Sequence, residues 1–305
     1  MGNVDRHNWK KAYAVFIAIF FCICIIVLTL LISDKRSFVR DGDAYTQHYP
    51  AFLYIGRWYR DAVRALLIHH ELPKLWDFSI GYGADVANTL YYYCMFDFTT
   101  SIFAVFSNEQ NGYWLYTAMM LVRTFLCGIA FIAYCKKMKC AQVGAILASF
   151  AYMLCPYMLD NVFNGHHFFA LPLLYFPIIL IICEKIIGGE KILLFAPIIT
   201  LFVAGSVYYF YMVMIFVAFY IPVRYLCRYK KVSPITGLIK VYVRFAGVVV
   251  IGLIIAMPVL FPEIYALLGD ARITVRQTVP LFYDSTKYSH AVDNFVILVL
   301  KKIWN

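Results

Sequence analysis

The chain has 305 residues, of which 63% are hydrophobic and only 14% charged, and its mean hydropathy is +0.73. No soluble domain of this length tolerates so apolar a surface, so the chain reads as an integral membrane protein. A net charge of +10 would point to nucleic acid in a soluble protein, but in a polytopic one the placement of the charges decides, and no nucleic-acid partner is expected.

A short cytoplasmic segment, residues 1–11, carries Arg6, Lys10 and Lys11. It is followed by "AYAVFIAIFFCICIIVLTLLI", residues 12–32, which is long enough to cross the ~30 Å hydrocarbon core. No small-residue cleavage site follows, so this is a retained anchor. Residues 33–112 then form an outer loop, rich in Tyr, Trp and Phe, that behaves as a folded cap. Six further spans are expected at 113–135, 141–159, 168–187, 192–205, 207–226 and 245–261. The fifth and sixth form one apolar run, split at "AGSVYYFY". Residues 113–262 are thus a six-helix transmembrane region. Residues 263–305 are an outer tail that ends in "NFVILVLKKIWN" as though an element had just begun.

Threading these spans from a cytoplasmic N-terminus puts Lys136, Lys137, Lys139, Lys185, Lys191, Arg224, Arg228, Lys230, Lys231, Lys240 and Arg244 inside, against only Asp5, Glu184 and Glu190. The positive-inside rule is met at every short loop. The fold class is therefore an all-α polytopic membrane protein with about seven transmembrane helices. Its nine cysteines have no CxxC spacing, and most fall in apolar runs or beside basic residues, so they are packing residues.

Polar residues concentrate at the outer face. "RDGDAYTQHYP" places Asp41, Asp43, Gln47 and His48 just beyond the anchor. From Phe52 to Leu67 the helical wheel gathers Phe52, Ile55, Tyr59, Ala62, Val63 and Leu66 on one side and Arg57, Arg60, Asp61 and Arg64 on the other, which predicts an amphipathic helix in the interface. Those arginines either face water and headgroups or turn their planar forks toward a phosphate. Asp97 stands in an apolar stretch and needs a partner, for which Arg123, deep in the second span, is the candidate. The pair either locks helices together or leaves Arg123 to line a polar cavity. Asn164, His166 and His167 follow the third span, and Tyr208 and Tyr209 open the sixth. Adjacent histidines rarely share one metal ion, and headgroup-level hydrogen bonding suits them better.

Carboxylates beside phosphate-ready arginines at a membrane face suit transfer of a group from a lipid-phosphate donor to an acceptor hydroxyl. A carboxylate can serve as base or hold a divalent cation such as Mg or Mn at the phosphate, while fixed positive charge stabilises the leaving group. Neither a P-loop nor a GxGxxG sequence occurs, so no nucleotide cofactor is expected.

"DAYTQHYPAF", "LPKLWDFSIGYGADV" and "YYYCMFDF", in that order, resemble the first outer loop of YfhO-type bacterial membrane proteins, which belong to the GT-C class of glycosyltransferases. The spacing of Asp43, Gln47 and Pro50 is similar to that family's acid, glutamine and proline pattern. The resemblance implies a GT-C-like fold and a longer protein of which this is the N-terminal portion. It also implies sugar transfer from a polyprenyl-phosphate donor to a cell-envelope acceptor at the outer face of the bacterial cytoplasmic membrane. Asp43 would be the catalytic acid, and the metal-binding residue if a cation takes part. Competing readings are a lipid or lipid-linked sugar flippase, which would use Asp97 and Arg123 as a polar path, and an inactive shortened paralogue.

Overall fold

The computed structural model describes residues 8–163, 165–229 and 235–269. The chain divides into two units, Met1–Pro262 and Glu263–Asn305. Of the second, only 263–269 are described, as the end of a helix that begins in the first.

The first helix, α1 (Trp9–Ser33), is opened by the Asn8 side chain, which accepts from the Lys11 amide at 3.2 Å. Its 25 residues rise about 37 Å, more than the ~30 Å hydrocarbon core. Only Ala12, Phe16, Phe20 and Cys24, one residue per turn, are buried. That stripe packs on α5 (Gly112–Lys137) and α6 (Gln142–Met153), and the other faces present apolar side chains such as Phe21 and Ile25 outward. Close approach depends on Gly128, where an added Cβ would lie 2.4 Å from the Phe16 ring.

Helices α7 (Ala170–Ile187), α8 (Ala196–Gly205), α9 (Val207–Arg228) and α10 (Ile235–Gly269) complete the bundle. Helices α5, α7 and α9 finish at one end, in Lys136 and Lys137, in Lys185 and in Arg228, where cations face the negative ends of the helix dipoles. Glu190 there bridges Lys137 at 2.5 Å and Lys185 at 3.1 Å, and both helix partners hold its carboxyl below the usual range. Arg224 Nε meets Glu184 at 2.6 Å, and Arg244 donates to the Glu190 carbonyl at 2.5 Å.

Five helical segments are long and apolar enough to cross a membrane: Trp9–Ser33, Gly112–Lys137, His167–Ile187, Val207–Arg228 and Ile235–Ala266. The other two expected spans are shorter helices. The third stops at Met153 and resumes at Pro156, because a proline disfavours helical geometry in the residue before it. The fifth is a 3₁₀ turn, Leu193–Phe195, followed by α8. The expected split falls at Ser206, whose extended backbone (φ −169°) ends α8 and whose hydroxyl caps α9 at the Tyr209 amide. The last span is longer than expected, starting at Ile235 and not near 245. The tail expected over 263–305 lies outside the described residues beyond 269.

Between α1 and α5 lie α2 (Tyr49–Arg64), the two-residue strands β1 (Trp76–Asp77) and β2 (Ala84–Asp85), α3 (Val86–Tyr91) and α4 (Phe98–Val105). The strands are antiparallel, with Trp76 opposite Asp85. Helix α2 is amphipathic as expected, but Phe52 and Ile55 are buried in protein: α2 packs on α4, and the Phe52 ring meets Tyr116 of α5 at 5.5 Å. Gly56 sits so close to α4 that a Cβ would fall 2.0 Å from the Ala104 carbonyl oxygen.

Candidate functional site

Gly42, at φ +99°, turns the chain into a π-helical turn, Ala44–His48, that runs directly into α2. Pro50 stands in the first turn of α2, where the helical bonding of the π-turn hands over to that of α2. The turn brings Gln47 back onto Asp43, and Gln47 Nε2 donates to Asp43 Oδ1 at 2.7 Å. The second carboxylate oxygen, Oδ2, faces His166 Nε2 at 3.3 Å, leaving the Asp43 side chain 45% exposed. His166 Nδ1 in turn lies 2.7 Å from His48 Nε2. With Asp43 ionised, His166 carries its proton on Nε2 and accepts at Nδ1 from His48. His48 Nδ1 is then a bare acceptor, buried and without a partner among the described residues. Burial first, and the neighbouring His166 second, depress the His48 imidazole to a pKa of about 4, against a smaller upward pull from Asp43.

Behind this row lies a second cluster. Arg123 and Asp97 meet at 2.5 Å with side-chain exposures of 1% and 0%. Asp97 is also the N-cap of α4, accepting from the Thr100 amide at 2.9 Å. Arg123 donates from Nε to Thr99 at 2.6 Å, from the other nitrogens to Thr100 at 2.7 Å and His167 Nδ1 at 2.5 Å, and to the His167 carbonyl at 3.1 Å. Its five N–H donors are matched by acceptors, and none is aimed at an outer opening. Because arginine only donates, His167 carries its proton on Nε2. The His167 ring stands edge-on to His48 at 5.2 Å, which joins the two clusters.

The remaining candidates are scattered. Arg57 lies over the Tyr54 ring at 5.2 Å, Arg60 donates to the carbonyls of Val105 at 2.7 Å and Ser107 at 2.8 Å, and Arg64 pairs with Asp61 at 3.6 Å. None of these four contacts reaches Asp43. Tyr208 is exposed, whereas Tyr209 is buried against Phe169. Asn164 lies outside the described residues.

The sequence also holds three cations, Lys35, Arg36 and Arg40, between α1 and the Asp43 turn that were not singled out as site residues. A groove of about 1070 Å³ runs from Val27, Leu30 and Leu31 near the end of α1 to Lys35, Arg36 and Arg40. Asp34, Asp41, Tyr45 and Trp114 line it too, so two acids stand among its three cations. Its apolar-then-basic order was visible in "VLTLLISDKRSFVR".

Among the described residues, no group of three or more His, Cys, Asp or Glu side chains is placed to hold a metal ion. Both Asp43 oxygens face nitrogen groups, and the neighbours are an amide and imidazoles. This donor set does not fit Mg or Mn, which favour several oxygen ligands.

A multi-pass bundle, helical apart from one two-residue hairpin and with a polar row at one end of its helices, defines a polytopic membrane protein. The family described as "Bacterial membrane protein YfhO" matches residues 14–301, and the chain belongs to that family. No curated protein and no solved structure matches the chain.

Proposed function

We propose that this chain carries the catalytic end of a glycosyltransferase that moves a sugar from a polyprenyl-phosphate donor to a hydroxyl of a cell-envelope acceptor, at the outer face of the cytoplasmic membrane. One observation carries the reading: a half-exposed carboxylate, fixed at both oxygens, shares the segment Arg40 to Tyr45 with a groove graded from apolar to cationic. The apolar part suits a lipid chain and the cations suit its phosphate. The basic ends of α5, α7 and α9 support a cytoplasmic position for that end, with the Asp43 row at the opposite, outer face.

In the step proposed, the acceptor oxygen attacks the anomeric carbon and forms the new glycosidic C–O bond. Its proton passes to Asp43. The bond from the anomeric carbon to the phosphate oxygen breaks, and the lipid phosphate leaves with both electrons, stabilised by Lys35, Arg36 and Arg40. Gln47 and His166 act as positioning residues that hold the carboxylate's orientation. The Asp97–Arg123 pair, which a flippase would use as a polar path, has its arginine donors matched in the core and reads as a helix lock.

The test is Asp43→Asn in the full-length gene. Sugar incorporation should be lost while membrane insertion stays at the wild-type level; incorporation at the wild-type rate would overturn the assignment.

A further inference from the structure

A second cavity, of about 610 Å³, opens between the outer half of α2 and the β1–β2 hairpin. Its walls carry the rings of Tyr54, Trp58, Trp76 and Phe78 with charges of both signs, Glu71 and Asp77 against Arg57 and Lys74. Two hydrogen bonds tie the walls to each other: Tyr54 donates its hydroxyl to Asp77 Oδ2, and Trp58 Nε1 donates to the Lys74 carbonyl at 2.8 Å. The hairpin closes through Gly83, at φ +111°, where an added Cβ would come within 3.0 Å of both Trp76 and Phe78. This is a cleft tied at two points and lined by rings and charged groups, and its Trp76 remains 55% exposed.

We propose that this cleft is a binding subsite for an oligosaccharide, the non-reacting part of the acceptor; the acceptor role, though not the binding, rests on the transferase reading above. A pyranose ring offers apolar C–H faces that stack on Trp and Tyr, and equatorial hydroxyls that donate to carboxylates at its rim. Hydrogen bonds from Tyr54 and from the Ser79 amide keep Asp77 ionised below its usual range, so it presents acceptors only. A lipid tail suits the cleft less well, because Glu71 and Asp77 would lose their water to hydrocarbon. From Asp43 to Tyr54 the chain climbs about 16 Å at about 1.5 Å per residue, so a ligand spanning both points has several sugar units.

The experiment titrates the full-length protein, in lipid nanodiscs, with cellotetraose, maltotetraose and chitotetraose while tryptophan emission is read. At least one of these sugars should give a saturable change. That affinity should fall about tenfold in Trp76→Ala and in Asp77→Asn, with Trp76→Phe keeping part of it. Thermal unfolding of the variants should match the parent. No saturable change with any of the three sugars, or unchanged affinity in both variants, overturns the subsite. Trp76 emission set by the nanodisc lipid and indifferent to sugar would also overturn it, and would make the hairpin a membrane anchor. Asp43→Asn should bind sugar normally. Binding without any transfer by the parent would overturn the transferase and leave the subsite standing; transfer without binding would do the reverse.

Discussion

Arg123 and Asp97, on separate helices, meet at 2.5 Å where water does not reach either side chain. The pair joins the N-terminus of α4 to the middle of α5 and, through His167, to the start of α7. A buried pair contributes little compared with well-packed apolar residues, but breaking it strands a charge. Arg123→Met should therefore cost about 3–5 kcal/mol. Asp97→Asn combined with Arg123→Met should recover a substantial part, because asparagine still caps α4. Thermal unfolding in detergent reads both; a single variant as stable as the parent would remove the lock from the fold.

Gly56→Ala should separate α2 from α4. The clash is with the Ala104 backbone carbonyl, which no side-chain rotation relieves. A loss of about 1–3 kcal/mol is expected, with earlier proteolysis at Arg57 and Arg60. Gly144, inside α6, has open space where its Cβ would go. There the same substitution should stabilise by about 0.5–1 kcal/mol, which makes it the internal control.

His48 gives the site a pH dependence. In the folded protein its imidazole protonates only near pH 4, whereas its ordinary value is 6.5. Between those values the unfolded chain binds the extra proton, so stability is complete above about pH 6.5 and falls as the pH drops toward 4. The loss is at most about 3 kcal/mol. Melting curves taken at pH 7 and pH 5 should diverge in the parent and converge in His48→Gln; equal divergence in both would assign the effect to another group.

For the proposed transferase, Arg36→Ala and Arg40→Ala should lower kcat/KM for the lipid-phosphate donor about tenfold, with both kcat and KM affected, because these cations bind the phosphate and stabilise it as it leaves. Arg64→Ala, whose partner is the exposed Asp61, should change neither constant by more than about twofold. Steady-state kinetics with detergent-solubilised donor check this, and the opposite ranking would move the donor from the α1 groove to α2.

The helices and their order were legible because period and length are local properties: the Ser206 split, the Asp43–Gln47 spacing and the need of Asp97 for a cation all follow from neighbours along the chain. Pro156 was equally visible, but average hydropathy over a window hides one missing N–H, and the third span was read through the break. Two facts could not be read from the sequence. His166 reaches Asp43 and His48 across more than a hundred residues, so only the folded bundle brings them together. The wheel placed Arg60 on the polar face of α2, yet its partners are carbonyls at the end of α4 that no pattern within α2 encodes.

The single buried stripe of α1 has a consequence for how the protein is made. A helix with apolar faces outward and one residue per turn against the bundle is already at home in lipid by itself. It can leave the ribosome first and wait in the bilayer until α5 arrives with the Gly128 notch for the Phe16 ring. The groove at its end, which Tyr113 and Trp114 of α5 also line, is completed only at that later meeting, so an anchor inserted alone has no such groove.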